Sequence, residues 1–549
     1  MNRFYTIILF LVFCLSVLTV AQTNYKISPK VIAGIDDKLF GQFMEKPSWE
    51  GEIGGDAAID KKTGKVLPQV MQYLKEMNLP VLRYPGGTDV DYYPWYNLID
   101  RVPNRHEKRP AYRNFSGDMH YASDNRLGLD QFLLLCKELK SEPLLVVNIG
   151  DAFFKKITIA EATENAAGMV VYCNLKRNKS LPEGAADWVS VRKNNGQKNP
   201  FGVKYFEVGN EPWLFFDRMP KGYNRAEAIA HYMNCLEAIV NAMRAVDPSI
   251  QIITDGEIKE VCEQLKYRMG SKINFIAFHS YLPWGIGQVK LEGKTFPVNK
   301  MTENEIWNAW VSTPFMDSTT GLSAYPLQGS YAAVRQTGYP IACTEWNWNG
   351  WWQGQALEEA SLNSRFAKGI GVAGFVHALM RDAAYIQIGN QSMLVGNKWD
   401  ITAIHVDTLT NEARFFPTGK VLGFYSRYHG DQLLDLQTQN LTYFSQPFEL
   451  SGIKPAPKVA FIDALATRSK NKLYFHAINR NYSNDMEISV DLSALKVKPE
   501  YVHHLFSSTD VKRDELGYFK DEKRQFKGSS IKIVLPKHSV SILEFAIND

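Results

Sequence analysis

The chain has 549 residues, 45% hydrophobic and 22% charged, which is the composition of a globular protein long enough for two domains. The net charge of +4, from 62 basic and 58 acidic residues, indicates neither nucleic acid nor an anionic membrane as a partner. Aromatic residues make up 12% of the chain, which suits either a well-filled core or a sugar-binding cleft.

Residues 1–21 have the pattern of a secretory signal peptide. Arg3 precedes an apolar run over residues 5–20, and small residues stand just before the expected cleavage at Gln22. The run is shorter than the roughly 20 apolar residues that a membrane span needs. We therefore expect the protein to be exported, to a periplasm or out of the cell, with no membrane partner.

Five cysteines follow this segment, at irregular spacing and without a CxxC pair. This pattern predicts neither a disulfide framework nor a structural zinc site. We expect them to be small buried residues and expect no metal or other cofactor.

Between residues 39 and 395, short apolar runs alternate with amphipathic segments. Helical periodicity covers 67–78, 129–140, 225–247 and 357–382, the last weakened by three glycines. The runs between them are almost continuously apolar, which is typical of strands covered on both faces. The predicted strands are 39–45, 80–87, 143–150, 204–211, 250–256, 274–281, 340–347 and 385–394. Eight strand-and-helix units predict an α/β fold, a (β/α)8 TIM barrel over residues 33–398.

From residue 399 to 549 the pattern changes to alternating strand-like runs separated by turn residues, with no long helical pattern. This predicts a C-terminal antiparallel β-sandwich domain. Residues 22–32 are expected to add a strand to it.

Polar residues stand at the C-terminal ends of the predicted barrel strands, where active sites of such barrels lie. These residues are Glu45, Arg83, Asn148, Asn210, Glu211, His279, Tyr281, Glu345 and Gln391. Glu211 and Glu345 end the fourth and seventh strands, so they should face each other across one mouth. Two facing carboxylates are what glycosidic bond cleavage needs, one as proton donor and one as nucleophile or base. The alternative for any single glutamate is a salt bridge or a surface position.

The neighbouring side chains have candidate roles around this pair. The Asn210 amide suits a sugar hydroxyl, while His279 and Tyr281 are suited to position the nucleophile. Arg83 either binds substrate or pairs with a glutamate such as Glu45, and we favour a supporting role.

The motifs EVGNE, TEWN and LRYPGG resemble those of the clan A retaining glycosidases, and the chain is most similar to the α-L-arabinofuranosidases of glycoside hydrolase family 51. FGQFMEK, RDAAYIQIGNQ and FPTGKVLGFYSRYHG extend the resemblance over nearly the whole mature chain. It implies a barrel plus a sandwich, no cofactor, and Glu211 as acid/base with Glu345 as nucleophile. The further implied roles are sugar contacts by Glu45, Asn210, Tyr281 and Gln391, and support by His279.

The segment after Glu345, WNWNGWWQG, departs from the family in its number of tryptophans. Trp346 and its neighbours are candidates for a sugar-stacking platform, or for a hydrophobic lid or interdomain packing. Because these residues would frame the sugar subsite, the departure puts the sugar in doubt.

The sequence therefore predicts a secreted retaining hydrolase that removes terminal α-L-arabinofuranosyl residues from plant polysaccharides or oligosaccharides. The alternatives are an endo-β-glucanase, a β-xylosidase or another furanosidase on the same barrel, and a non-catalytic carbohydrate-binding protein. The expected partner is a carbohydrate, not nucleic acid. The oligomeric state is left open, and a homo-oligomer would fit the family.

Overall fold

The computed structural model describes residues 22–46, 51–103, 105, 109–112, 123–177, 186–281, 285–286, 288–312, 331–349, 351–352, 364–450, 454–511 and 514–547. The predicted signal peptide lies outside these residues, as does the segment 357–363 of the last predicted barrel helix.

Strands and helices alternate through the first two thirds of the chain, and strands dominate the rest. The strands are β1 (Thr23–Gly34), β2 (Gly41–Phe43), β3 (Val81–Tyr84), β4 (Glu142–Val147), β5 (Tyr205–Val208), β6 (Gln251–Asp255), β7 (Phe275–Tyr281), β8 (Gly285–Ile286), β9 (Val289–Leu291), β10 (Lys294–Thr295), β11 (Ile341–Asn347), β12 (Trp351–Trp352), β13 (Ile386–Ser392), β14 (Val395–Gly396), β15 (Ile404–Val406), β16 (Ala413–Phe415), β17 (Gln432–Gln439), β18 (Tyr443–Gln446), β19 (Phe448–Leu450), β20 (Ala456–Ala460), β21 (Ile462–Arg468), β22 (Lys472–Asn479), β23 (Met486–Asp491), β24 (Val497–Ser507), β25 (Tyr518–Gln525), β26 (Ser530–Leu535) and β27 (Ser539–Ile547). The helices are α1 (Pro68–Met77), α2 (Leu129–Leu139), α3 (Gly150–Phe153), α4 (Ile159–Asn174), α5 (Trp188–Asn194), α6 (Trp213–Asp217), α7 (Arg225–Val246), α8 (Lys259–Arg268), α9 (Glu303–Val311), α10 (Tyr331–Gln336), α11 (Arg365–Arg381) and α12 (Pro417–Arg427).

The first large unit is a closed barrel of eight parallel strands in the order β11-β13-β2-β3-β4-β5-β6-β7. Each of these strands coincides with one of the eight predicted runs, with β4 beginning one residue earlier than predicted, so the predicted barrel is confirmed. Apolar side chains from the first halves of the strands fill its interior. They are Val81, Leu144, Tyr205, Ile253, Phe275, Ala277, Ala342 and Ile388. This layer closes the barrel below the strand ends, which leaves polar side chains to fill the upper interior.

The predicted helices at 67–78, 129–140 and 225–247 correspond to α1, α2 and α7. Capping side chains fix where helices begin: Asn224 accepts hydrogen bonds from the first turn of α7, and Thr158 and Glu161 form a capping box on α4. The glycine-containing segment predicted up to residue 382 is helical as α11, and Ser364 caps it.

The C-terminal region forms a β-sandwich, as predicted, built from a sheet in the order β25-β24-β27-β22-β21-β17-β1-β23-β26. The sheet folds over on itself, because Phe475 and Phe545 from its middle share one core with Ile488 and Ile533 near its end. β1 lies inside it, antiparallel to β17 and parallel to β23. The domain boundaries at residues 32/33 and 398/399 stay predictions.

Helix α12 corrects the prediction that no long helical pattern follows residue 399. Pro417 stands at its first turn, where proline is favourable, and eight of its other ten residues are buried. Two glycines, Gly419 and Gly423, weakened the sequence signal. A side chain at either would collide with Ala403 or Met77, so these glycines allow close packing of the helix on the barrel.

A buried ionic cluster joins α11 of the barrel to β21 of the sandwich. Arg381 donates to the Asp463 carboxylate, and His377 lies 3.4 Å from it. Burial opposes the charge, but Arg381 and His377 outweigh it and hold the pKa of Asp463 well below its usual range. The two units are therefore joined by a charge pair as well as by apolar packing.

The five cysteines after the predicted signal peptide are free and buried. None of the helices in the described part of the chain combines the length and apolar character that crossing a bilayer requires.

Candidate active site

The Arg83 guanidinium, at the end of β3, joins three strand ends inside the barrel mouth. Its Nε lies 2.5 Å from a Glu207 oxygen, its Nη1 donates to Glu345 over 2.8 Å, and its Nη2 donates to Asn210 over 2.8 Å. The ring of Phe43 covers the guanidinium from β2, 4.5 Å away. A fully buried arginine with these partners fixes the positions of all three side chains.

A β-bulge in β11 places Glu345 at this centre. Between the pairs Cys343–Phe278 and Glu345–His279, β11 has one residue more than β7. The extra residue lets both Thr344 and Glu345 reach polar partners in the mouth. The Thr344 hydroxyl donates to Glu207 over 2.7 Å, while Glu345 meets Arg83.

His279 and Tyr281 approach the two predicted catalytic carboxylates from β7. The Tyr281 hydroxyl donates to Glu345 Oε2 over 2.7 Å. His279 Nδ1 lies 3.0 Å from Glu211 Oε1 and 3.6 Å from Glu345 Oε2, and its Nε2 lies 3.1 Å from the Thr344 hydroxyl. One oxygen of Glu211 and one of Glu345 lie within 4.8 Å of each other.

The loop after β5 presents Asn210 and Glu211 in an unusual backbone conformation. Gly209 has φ +85° and Glu211 has φ +45°, both left-handed. The buried Asp91 carboxylate holds this loop by accepting the Asn210 N–H over 2.8 Å, together with the N–H groups of Ile149 and Gly150. The strand therefore breaks sharply at Gly209 because the chain must turn Glu211 back over the mouth.

Glu45 reaches the same centre from the end of β2, beside Gly87. A Cβ on Gly87 would lie 2.3 Å from Glu45 Oε1 and 3.7 Å from Glu345 Oε1. The Gly-Gly pair after β3 therefore leaves the space that these two carboxylates occupy.

The surroundings of Glu345 and Glu45 shift the pKa values of these two carboxyl groups in opposite directions. Burial opposes ionisation of Glu345, but His279 and Arg83 outweigh it and lower its pKa. Burial and the nearby Glu345 charge raise the pKa of Glu45 well above its usual range. For His279 burial opposes the charge, yet Glu345 and the hydrogen bond to Glu211 raise its pKa well above the ordinary value. The site therefore favours an ionised Glu345, a protonated Glu45 and an imidazolium at His279.

Most of the predicted site residues lie together. Glu45, Arg83, Asn210, Glu211, His279, Tyr281 and Glu345 are linked by the contacts above. Asn148 is at the rim, where its amide bonds Asp151.

Trp346 and Gln391 do not lie in this centre, which corrects both predictions as sugar contacts. Trp346 faces outward, is fully buried and stacks on Phe375 of α11, with ring centroids 4.9 Å apart. Gln391 faces the opposite side of β13 from the inward Ile388 and accepts a hydrogen bond from Gln42 over 2.6 Å. Both residues follow directly on inward ones, and strand alternation gives them the other face. Trp348 is also core, packed on Trp310, so it offers no stacking platform.

Sequence reasoning missed several buried acids around the centre. Glu207 stands two residues after the inward Tyr205, so strand alternation was a usable signal for it. The same signal applies to Asp255, which stands two residues after the inward Ile253, whereas Asp91 and Glu257 lie outside the strands, where no such periodicity reveals them. Glu52 is also buried and accepts five backbone N–H groups, from residues 53–54 and 397–399, which ties the loop after β2 to the loop after β14.

Two groups of side chains in the described residues are close enough to share a cation: Glu211, His279 and Glu345, and Asp255, Glu257 and His279. Both ring nitrogens of His279 already have polar partners, Glu211 and Thr344. The ring thus links the two carboxylates to the Thr344 hydroxyl through hydrogen bonds, an arrangement suited to proton chemistry.

Comparison with known proteins agrees with this geometry. Residues 73–283 match the family described as alpha-L-arabinofuranosidase 1 domain. The chain is 30% identical over 241 residues to the probable alpha-L-arabinofuranosidase C of Aspergillus niger, covering 43% of this chain and 40% of the relative. It is 21% identical over 506 residues to the intracellular exo-alpha-(1->5)-L-arabinofuranosidase of Streptomyces lividans, covering 87% and 67%.

The fold agrees over almost the full length. The crystal structure of the alpha-L-arabinofuranosidase from Thermotoga maritima in its arabinose complex superposes with a TM-score of 0.68 at 19% identity, covering 96% of this chain and 100% of that one. The sequence is thus similar to proteins named as arabinofuranosidases over part of its length, and the fold is similar over nearly all of it. The chain spans about 40% of the length of the Aspergillus relative. The family match, residues 73–283, includes Glu211 and ends before Glu345.

The corrected position of Trp346 has a measurable consequence. We expect Trp346→Ala to lower the free energy of unfolding by about 3–5 kcal/mol, because it empties a large buried site between β11 and α11. Trp213→Ala is the matched control, since Trp213 is 38% exposed. Denaturant unfolding of both variants measures the difference. Equal, small losses would contradict the core role of Trp346.

Proposed function

We propose that this protein is a retaining glycoside hydrolase that removes terminal α-L-arabinofuranosyl residues from plant polysaccharides or oligosaccharides. The observation that carries the proposal is the pair Glu211 and Glu345, whose nearest oxygens lie within 4.8 Å. This separation fits the closer spacing of retaining enzymes, about 5–5.5 Å, rather than the 6.5–9.5 Å that leaves room for a water in inverting ones.

In the first step Glu345 attacks the anomeric carbon. Arg83 and Tyr281 each hold one of its oxygens, and its lowered pKa keeps it ionised. Glu211 donates its proton to the glycosidic oxygen as the bond to the sugar breaks, and the leaving group departs as an alcohol. The product of this step is a glycosyl ester of Glu345 and a Glu211 carboxylate.

In the second step Glu211 takes a proton from water, which attacks the anomeric carbon and releases Glu345 as a carboxylate. Negative charge thus passes from Glu345 to Glu211 and back during one turnover. His279 lies within 3.6 Å of both carboxylates, so one imidazolium stabilises whichever of them is charged.

Two further side chains are placed to hold the sugar. Arg83 donates a hydrogen bond to the side-chain oxygen of Asn210, so the Asn210 Nδ2 points away from Arg83. This Nδ2 is buried and has no partner among the described residues. A sugar hydroxyl next to the reacting carbon would satisfy this donor. Glu45, with its raised pKa, can donate one hydrogen bond and accept another.

The choice of sugar rests on the relatives, which are named as arabinofuranosidases. The same two glutamates would also serve a β-xylosidase, an endo-β-glucanase or another furanosidase, and a carbohydrate-binding protein would not need them. Export rests on the N-terminal apolar segment alone, and the Streptomyces relative is named intracellular.

The first test is hydrolysis of 4-nitrophenyl α-L-arabinofuranoside beside the β-D-xylopyranoside and β-D-glucopyranoside analogues. We expect the arabinofuranoside to be the preferred substrate, and Glu345→Ala to lower kcat by at least about 10⁴-fold, because the nucleophile is lost. Preference for either pyranoside would refute the sugar assignment. Full activity in Glu345→Ala would refute the mechanism.

A second test concerns the proton donor. We expect Glu211→Ala to lose far more activity on an arabino-oligosaccharide than on the 4-nitrophenyl arabinofuranoside, because nitrophenolate leaves without a proton. The loss should be about 10²-fold or more on the natural linkage, the usual size of general acid catalysis. Steady-state rates on both substrates give the comparison. Equal losses would remove the acid role from Glu211.

A further inference from the structure

A second pair of carboxyl groups, Asp255 and Glu257, lies directly behind His279. Asp255 ends β6 and Glu257 follows two residues later. Asp255 Oδ1 accepts the Glu257 N–H over 2.8 Å, and Glu257 Oε1 accepts the His279 N–H over 3.2 Å. An oxygen of each carboxyl group and a ring nitrogen of His279 lie within 4.8 Å of one another.

The second oxygen of each carboxyl group is buried and has no hydrogen-bond partner among the residues that the structure describes. These oxygens are Asp255 Oδ2 and Glu257 Oε2, and Asp255 itself is fully buried. Within the described part of the chain, neither group forms an ion pair with lysine or arginine, and His279 is the cation nearest to both. His279 already serves Glu211 and Glu345, so two full negative charges here would be left uncompensated.

A bound proton compensates this excess of negative charge better than a metal ion does. Both ring nitrogens of His279 are engaged, which leaves only two carboxyl groups as ligands, fewer than the six to eight oxygens that Ca²⁺ takes. Burial raises the pKa of Asp255 to about 7, and burial together with Asp255 raises that of Glu257 well above its usual range.

We propose that Asp255 and Glu257 form a proton-holding pair that controls the pH range over which His279 keeps its proton beside Glu211 and Glu345. The pair is positioning machinery, because it touches His279 and not the reacting atoms. This inference rests on the proposed function of Glu211. At acid pH both groups are protonated and add no charge, and at neutral pH the pair keeps at least one proton. As pH rises further it releases protons to solvent, and its growing negative charge holds the proton on His279.

The groups that face the pair from the surrounding elements do not compensate it. Glu207 and Glu211 are acids from β5 and its loop, and Tyr232 and Cys262 come from α7 and α8 with raised pKa values. Cys343 on β11 also has a raised pKa, with burial as the main cause. Apart from His279, each of these groups is neutral or negative, so the charge of the pair acts mainly on His279 and Glu211.

The test uses the double variant Asp255→Asn/Glu257→Gln, whose amide oxygens keep both backbone hydrogen bonds but cannot ionise. An amide imitates the protonated form, so the acid limb of the kcat/KM profile should stay where it is in wild type. The alkaline limb should move down by about one pH unit, the size of shift that one nearby charge produces. Glu260→Gln is the matched control, because Glu260 lies exposed on α8 and pairs with Arg225.

Infrared difference spectroscopy of the folded proteins gives a readout that needs no activity. Wild type minus double variant at pH 7, with and without a chelator, should show a protonated-carboxyl band in both conditions. A band that appears only after chelation, or no band, overturns the proposal in favour of an ionised pair.

The pH profile gives the second readout. A shift of both limbs also overturns the proposal in favour of an ionised pair. If neither limb moves, the proposed control of His279 is overturned. If wild type hydrolyses none of the aryl glycosides, the proposed function fails, while the infrared result still decides whether the pair holds a proton.

Discussion

The contact of one buried guanidinium with three strand ends organises the active site. Arg83 binds Glu207, Asn210 and Glu345 at once, and a buried arginine is stable only when such partners satisfy it. Glu207 supplies compensating charge, which leaves Glu345 free to act as nucleophile and Asn210 to turn its amide toward the substrate. The barrel brings these strands together, and the bulge at Thr344 and Glu345 adjusts the last of them.

Charge, rather than shape alone, gives the two central glutamates different roles. Glu345 is ionised because it accepts hydrogen bonds from a guanidinium and from a tyrosine hydroxyl. Glu211 has His279 as its polar neighbour and stands on a strained turn. His279 connects the two glutamates in front and the Asp255–Glu257 pair behind. The site therefore contains more acidic groups than cations, and bound protons must compensate the excess negative charge.

Much of this could be predicted from the sequence, because continuous apolar runs and helical periodicity fixed the eight barrel units and placed most site residues at strand ends. Trp346 was assigned from its proximity to Glu345 in the sequence and Gln391 from the family resemblance, and neither argument says which face of a strand a side chain takes. The bulge that alters this alternation has no local sequence signal. Helix α12 was missed because its glycines, needed for close packing, lower its apparent helix propensity.

The most direct test of the account is to trap the covalent intermediate. The protein would be incubated with a 2-fluoro arabinofuranoside that forms the glycosyl-enzyme but hydrolyses it slowly, digested, and mapped by mass spectrometry. The account predicts one added sugar, on Glu345 in the peptide that contains residues 341–347. An active enzyme that forms no adduct, or one labelled on Glu45, Glu207 or Glu211, would contradict the assignment of Glu345 as the nucleophile held by Arg83.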